Sequence, residues 1–117
     1  MKDYLLDERI IKKIATGHGS CMASDEITVE GYPVGLMYRE KPTKEGDSGW
    51  RFFSGTEDQK YLNNPKNHSE FDVNVIANYD ASIIPLLASP VGSVFERFVK
   101  SENDDEFKPV TDWSPLD

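Results

Sequence analysis

The apolar positions near the start of the chain follow a helical spacing. Leu6, Ile10 and Ile14 recur every four residues with Ile11 beside them, which predicts an amphipathic helix presenting one stripe to a core. Asp3, Asp7 and Glu8 stand toward its start and Lys12 and Lys13 toward its end, the order a helix dipole favours. Gly17 and Gly19 are expected to stop it.

From residue 21 onward the pattern shortens to alternating runs. Residues 21–23 are a brief apolar run, and Ile27, Thr28 and Val29 are a β-branched stretch ending at a Glu30-Gly31 turn. Residues 32–39 alternate, with Val34, Leu36 and Tyr38 on one face. Gly35 inside that run predicts a bulge or the close approach of another group. After a charged loop over 41–48, residues 49–53 alternate again and are expected to pair back as a hairpin. Trp50 and Phe52 then face one way, Arg51 and Phe53 the other.

Thr56-Glu57-Asp58-Gln59 has the form of a capping box, predicting a short helix that the turn residues Asn63-Asn64-Pro65-Lys66-Asn67 end. Asp72 is placed to cap another helix carrying Val73, Ile76 and Ala77. Pro85 opens or breaks a further segment bearing Leu86 and Leu87, and residues 93–99 alternate as the last strand. Beyond residue 100 the chain is acidic and loop-like, with Trp113 expected to dock back. These elements predict an α+β fold: a small, mainly antiparallel sheet with an N-terminal helix and short helices packed on one side. One domain spans 1–117, its residues 100–117 forming a mobile acidic tail.

Composition supports a folded chain. Two Trp, five Tyr and six Phe among 117 residues supply large side chains that a disordered segment lacks. A net charge of −8 repels phosphate backbones, so nucleic acid is not an expected partner, whereas encounter with a basic protein would be accelerated. A single cysteine, Cys21, allows no intrachain disulfide and no metal framework. No stretch approaches the roughly 20 apolar residues of a membrane span, and the charged start lacks a signal-peptide core. A cytoplasmic location, no membrane contact and no cofactor are therefore expected.

Candidate chemistry is sparse. His18 and Cys21 are the one nucleophilic pair to consider, but Cys21 opens an apolar run, the setting of a buried structural thiol. His68 is expected in a polar loop, too isolated for a zinc site. Carboxylate pairs at Asp25-Glu26, Glu57-Asp58 and Asp104-Asp105-Glu106 lack the spacing that general acid–base work requires. No catalytic residue is assigned. A polar-aromatic constellation remains: Tyr38, Arg39, Asp47, Ser48, Trp50 and Arg51, on two neighbouring strands and their loop. Tyr, Trp and Arg are enriched at binding hot spots. The alternative is structural, with Trp50 in the core and Arg39 paired to Asp47.

At these residues the sequence resembles a known family. Ser24-Asp25-Glu26-Ile27, Gly35-Leu36-Met37-Tyr38-Arg39-Glu40 and Asp47-Ser48-Gly49-Trp50-Arg51-Phe52 are similar to the blocks of the bacterial immunity protein thirty-three family. The likeness extends through Asn63, Asn64 and Asn67, Asn78-Tyr79-Asp80, and Leu86-Leu87 with Pro90-Val91-Gly92-Ser93. It covers about Cys21 to Arg97, with Ala81 standing where relatives often carry proline. The resemblance implies an α+β protein that binds and blocks a toxin made by the same cell, and it names no catalytic residue; with the net charge of −8, the toxin is expected to be a basic protein. A non-catalytic binding protein is thus the reading, with a small hydrolase using Asp25, Glu57 or the His18/Cys21 pair, or a regulatory ligand-binding module, as the alternatives.

Overall fold

The computed structural model describes residues 2–101 and 104–110. Six strands form one sheet: β1 (Ser20–Ser24), β2 (Leu36–Arg39), β3 (Asp47–Phe53), β4 (His68–Asp72), β5 (Val94–Ser101) and β6 (Asp104–Pro109). Their spatial order is β4-β1-β3-β2-β5-β6. Three short helices accompany them, α1 (Asp25–Thr28), α2 (Gln59–Leu62) and α3 (Val73–Tyr79), with 3-10 turns at Glu8–Ile10, Pro65–Asn67 and Ala81–Leu86.

The sheet is mixed, not the mainly antiparallel one expected, because β1 runs parallel to β3. Local pattern could not show this. The two strands are brought together across the intervening β2–β3 hairpin, whose antiparallel register sets Met37 opposite Phe52 and Arg39 opposite Trp50. That hairpin is the one the alternation predicted. Gly35, just before it, fulfils the expected close approach: a Cβ there would collide with the carbonyl oxygen of Ser54.

One face of the sheet carries the core. Cys21, Ala23, Met37, Trp50 and Phe52 pack against Ile27 of α1, Val73, Ile76 and Ala77 of α3, and Ile83 and Leu87 at the following turn. Trp50 and Phe52 are fully buried and stacked, with ring centroids 6.1 Å apart. Side chains of this size contribute on the order of 2–3 kcal/mol each on burial. The Trp50 indole N–H also donates to the Leu87 carbonyl at 3.2 Å, so its one polar atom is satisfied inside the core.

The N-terminal helix does not form; only a 3-10 turn over Glu8–Ile10 does. The segment lies as an extended strap held by side chains of α3. The Asn74 carboxamide oxygen accepts the N–H groups of Ile14 and Ala15, both at 2.8 Å, and its NH2 donates to the Lys12 carbonyl. Asn78 accepts from the Lys12 N–H and donates to the same carbonyl. Backbone groups thus satisfied from outside gain nothing from an internal helix ladder. Leu5, Ile10 and Ile14 are left exposed.

Other boundaries shift for equally local reasons. The β-branched stretch at Ile27 folds as α1 because the Ser24 hydroxyl accepts the Glu26 N–H and caps the turn. The cap of α2 is Asp58, accepting from the Tyr61 N–H at 2.8 Å, and not Thr56. Glu57 turns back instead to receive the amides of Ser54 and Gly55. Asp72 caps α3 as expected. His68 is in strand β4, not a loop, and residues 104–109, expected as loop, form β6 beside β5. Trp113 lies outside the described residues.

Candidate functional site

Alternation along the strands assigns every second side chain to the face away from the core. Register places Met22, Arg51, Tyr38 and Val94 in one row across β1, β3, β2 and β5, with Glu70 of β4 at its end. The next row holds His68, Ser24, Phe53, Leu36, Glu96 and Lys108. The helical side chains described above enter the core on the opposite face. Among the described residues, Tyr61 of α2 meets this second face edge-on at His68 and the 41–46 loop meets it through Lys44 and Glu70, while Ser24, Arg51 and Val94 on it are buried.

Arg51 is the fixed centre of the face. Its side chain is 8% exposed and forms a fork with Asp47, itself 4% exposed, with Nη1 3.0 Å from Oδ1 and Nη2 2.8 Å from Oδ2. Nε donates to Glu40 Oε2 at 2.6 Å, and Nη1 also reaches the Trp50 carbonyl. Paired guanidinium and carboxylate planes make the strong bidentate geometry. The Arg51 guanidinium beside Asp47 holds that carboxyl well below the usual carboxylate range, helped by the N–H groups of Thr43 and Gly49. Asp47 and then Glu40 push the arginine further up in turn.

A line of rings crosses the face beside this network. Tyr38 and Phe53 stack at 5.7 Å with planes 7° apart. Phe53 meets His68 edge-on at 5.8 Å, and His68 meets Tyr61 at 6.1 Å. The rings meet across β1 because the residue between them is the small Ser24. Burial, then the Glu40 carboxylate, raise the Tyr38 phenol. Past Tyr61 the face ends in a cleft of about 330 Å³ lined by Glu26, Thr56, Asp58, Asn64 and Asn67 among others. The Glu26 carboxylate there accepts the hydroxyls of Ser54 and Thr56.

The six constellation residues separate into two groups. Tyr38 lies half-buried on the open face. Asp47 and Arg51 form the network just described, and it is Arg51, not Arg39, that pairs with Asp47. Arg39 donates instead to the carbonyls of Ser48 and Ser89, both at 2.8 Å, with its guanidinium over the Trp50 ring at 5.8 Å. Ser48 is buried, its hydroxyl accepting the Trp50 N–H, and Trp50 is core. Spacing did not bring forward Phe53, His68 and Tyr61. Phe53 was legible as the neighbour of Arg51 on one face, but its meeting with His68 depends on the β1–β3 and β1–β4 pairings.

The residues weighed for hydrolysis are apart. Cys21 is 1% exposed, and burial first, then the Asp72 carboxylate, push its thiol far above the ordinary range. His18 is exposed on the loop before β1. Asp25 pairs with Lys2 at 3.0 Å, and Glu57 is occupied by backbone amides. Among the described residues no group of three His, Cys, Asp or Glu side chains is placed to hold a metal ion. No helix among them is long and apolar enough to cross a membrane.

A family model described as Immunity protein Imm33 domain matches residues 21–110, most of the chain. The match extends past Arg97, where the motif resemblance ended, through β5 and β6. No curated protein and no solved structure matches the chain.

Proposed function

The chain belongs to the Immunity protein Imm33 domain family, and on that premise we propose that it is a non-catalytic immunity protein that binds a bacterial toxin and blocks it. The observation that carries this reading is the family match over residues 21–110. The net charge of −8 supports a basic toxin as the partner, through faster encounter and complementary contact. Action in the cytoplasm, where a toxin made by the same cell must be held inactive, belongs to the same proposal.

Within the constellation, Tyr38 is the contact residue. Arg39, Asp47, Ser48, Trp50 and Arg51 act from beneath, by fixing the β2–β3 hairpin on which Tyr38 stands. The division follows from burial and from hydrogen bonding: Ser48, Trp50 and Arg51 are buried, Arg39 and Asp47 are committed to bonds within the protein, and the half-buried ring of Tyr38 gains on being covered further.

Capture of the tagged protein from its native host at low salt, with mass spectrometry of what it retains, tests the proposal. A basic partner held one-to-one, toxic when expressed alone and tolerated when co-expressed with this chain, is the expected result. A retained partner whose toxicity the chain leaves unchanged would refute it.

A further inference from the structure

We propose that the open face of the sheet, from Phe98 across the Tyr38–Phe53–His68 rings to Tyr61, docks a partner segment that combines apolar side chains with lysine or arginine. The inference rests on the immunity reading and adds to it the surface and the chemistry of the contact.

Three observations point to that chemistry. The rings lie on a face whose half-buried Met22, Leu36 and Phe53 leave apolar area available to a partner. Phe98 adds a ring that is 43% exposed. The face already receives a cation in this way, since the Lys108 ammonium stands 5.3 Å from the centre of the Phe98 ring, the geometry of a cation–π contact.

The charges of the face are complementary to a basic segment. Arg51 and Lys44 are both committed, the first to Asp47 and Glu40, the second to Glu70. Glu96 is exposed among the rings' neighbours with no cation paired to it among the described residues. At the far end, Glu26 and Asp58 line the cleft beyond Tyr61 together with Lys60; the carboxylates accept hydroxyls and an amide, and two of them against one lysine leave the cleft net negative. A long basic side chain that lays its stem along Tyr61 would bring its charge to these carboxylates. The negative potential there is already felt by the Tyr61 phenol, which burial raises and the Asp25, Glu26 and Glu57 carboxylates raise further.

The test uses the full chain in host cells, with a photo-crosslinking amino acid at position 98 on the open face or at position 10 on the exposed strap beside α3. Crosslinks from position 98 to a Lys/Arg-rich peptide of the toxic partner, at least tenfold weaker when Glu96→Lys is added, are the expected result. Several outcomes would overturn the proposal. Crosslinks from position 98 to the chain's own residues 111–117, or to a second copy, would assign the face another occupant. Crosslinks from position 10 alone, in cells the protein still protects, would reject the face while leaving the immunity reading intact. Silence from position 98 in protected cells would do the same.

Discussion

Replacing Asp47 by asparagine probes the Arg51 network at its strongest contact. The substitution keeps the shape but retains only one oxygen, which can serve the Gly49 amide at the Oδ1 position or the Thr43 amide at the Oδ2 position but not both, and puts an NH2 group at the other, where one arm of the Arg51 fork now ends. Both side chains are nearly sealed from water, at 8% and 4% exposure. Removing one member of a buried pair leaves an uncompensated charge and costs about 3–5 kcal/mol. Glu40 stays beside Arg51 and, although its side chain is 39% exposed, compensates its charge in part, so the lower half of that range is expected. With an unfolding entropy of about 2.1 cal/mol/K per residue, 1 kcal/mol corresponds to about 4 °C in a chain of this length, so Asp47→Asn should lower Tm by about 12–16 °C. Urea titration should show a lower midpoint at unchanged slope.

The pH dependence supplies an independent check. Asp47 has its carboxyl pKa depressed by folding. Such a group stabilises the fold fully above its unfolded value, near 4, and that contribution drains as pH falls toward the folded value. Asparagine binds no proton, so the gap between wild type and variant should be constant from pH 6 to 8 and narrow below about pH 4. A cost under about 1 kcal/mol with a gap independent of pH would refute the buried-pair account. Glu40→Gln, at the exposed side of the network, should cost only about 1 kcal/mol.

Three further outcomes follow from the same geometry. Asn74→Ala should release the strap, costing about 2–3 kcal/mol through the stranded N–H of buried Ala15, and hydrogen exchange should show Ile14 and Ala15 losing protection while the strands keep theirs. Gly35→Ala should destabilise more than Gly17→Ala in urea titrations: position 17 has a φ of +87° but open space, about 1–2 kcal/mol for a left-handed residue, whereas position 35 forces backbone apart. Cys21 should resist alkylation at pH 8 in the native protein, reacting at the rate of unfolding, because its thiol is enclosed and its pKa raised; rapid labelling would contradict the burial.

The β2–β3 hairpin, the cap at Asp72 and the tight passage at Gly35 were legible in the sequence because each is a local matter of alternation, side-chain capping or volume. The N-terminal strap was not. Its Leu6-Ile10-Ile14 spacing is helical, and the Asn74 and Asn78 carboxamides that override it lie some sixty residues away. Strand β4 has one large apolar residue, Phe71, so an edge strand looked like polar loop. At the candidate site, alternation correctly set Arg51 and Phe53 opposite Trp50 and Phe52. It could not say that Arg51 and not Arg39 would take Asp47, since that choice follows from Asp47 itself being on β3, four residues from Arg51 along the same strand. Nor could it find the ring line, which crosses β1 at Ser24 through one parallel and one antiparallel pairing.

The central claim, that this chain neutralises a toxin through its open sheet face, is tested most directly by growth of cells expressing the captured toxin with either wild-type chain or Phe98→Lys. The substitution lies on an exposed strand position and, with the cation–π contact to Lys108 lost, should leave stability within about 1 kcal/mol of wild type. Protection by wild type and its loss with the folded Phe98→Lys variant is the result the account predicts. Equal protection by both would contradict the face, and protection by neither would contradict the function.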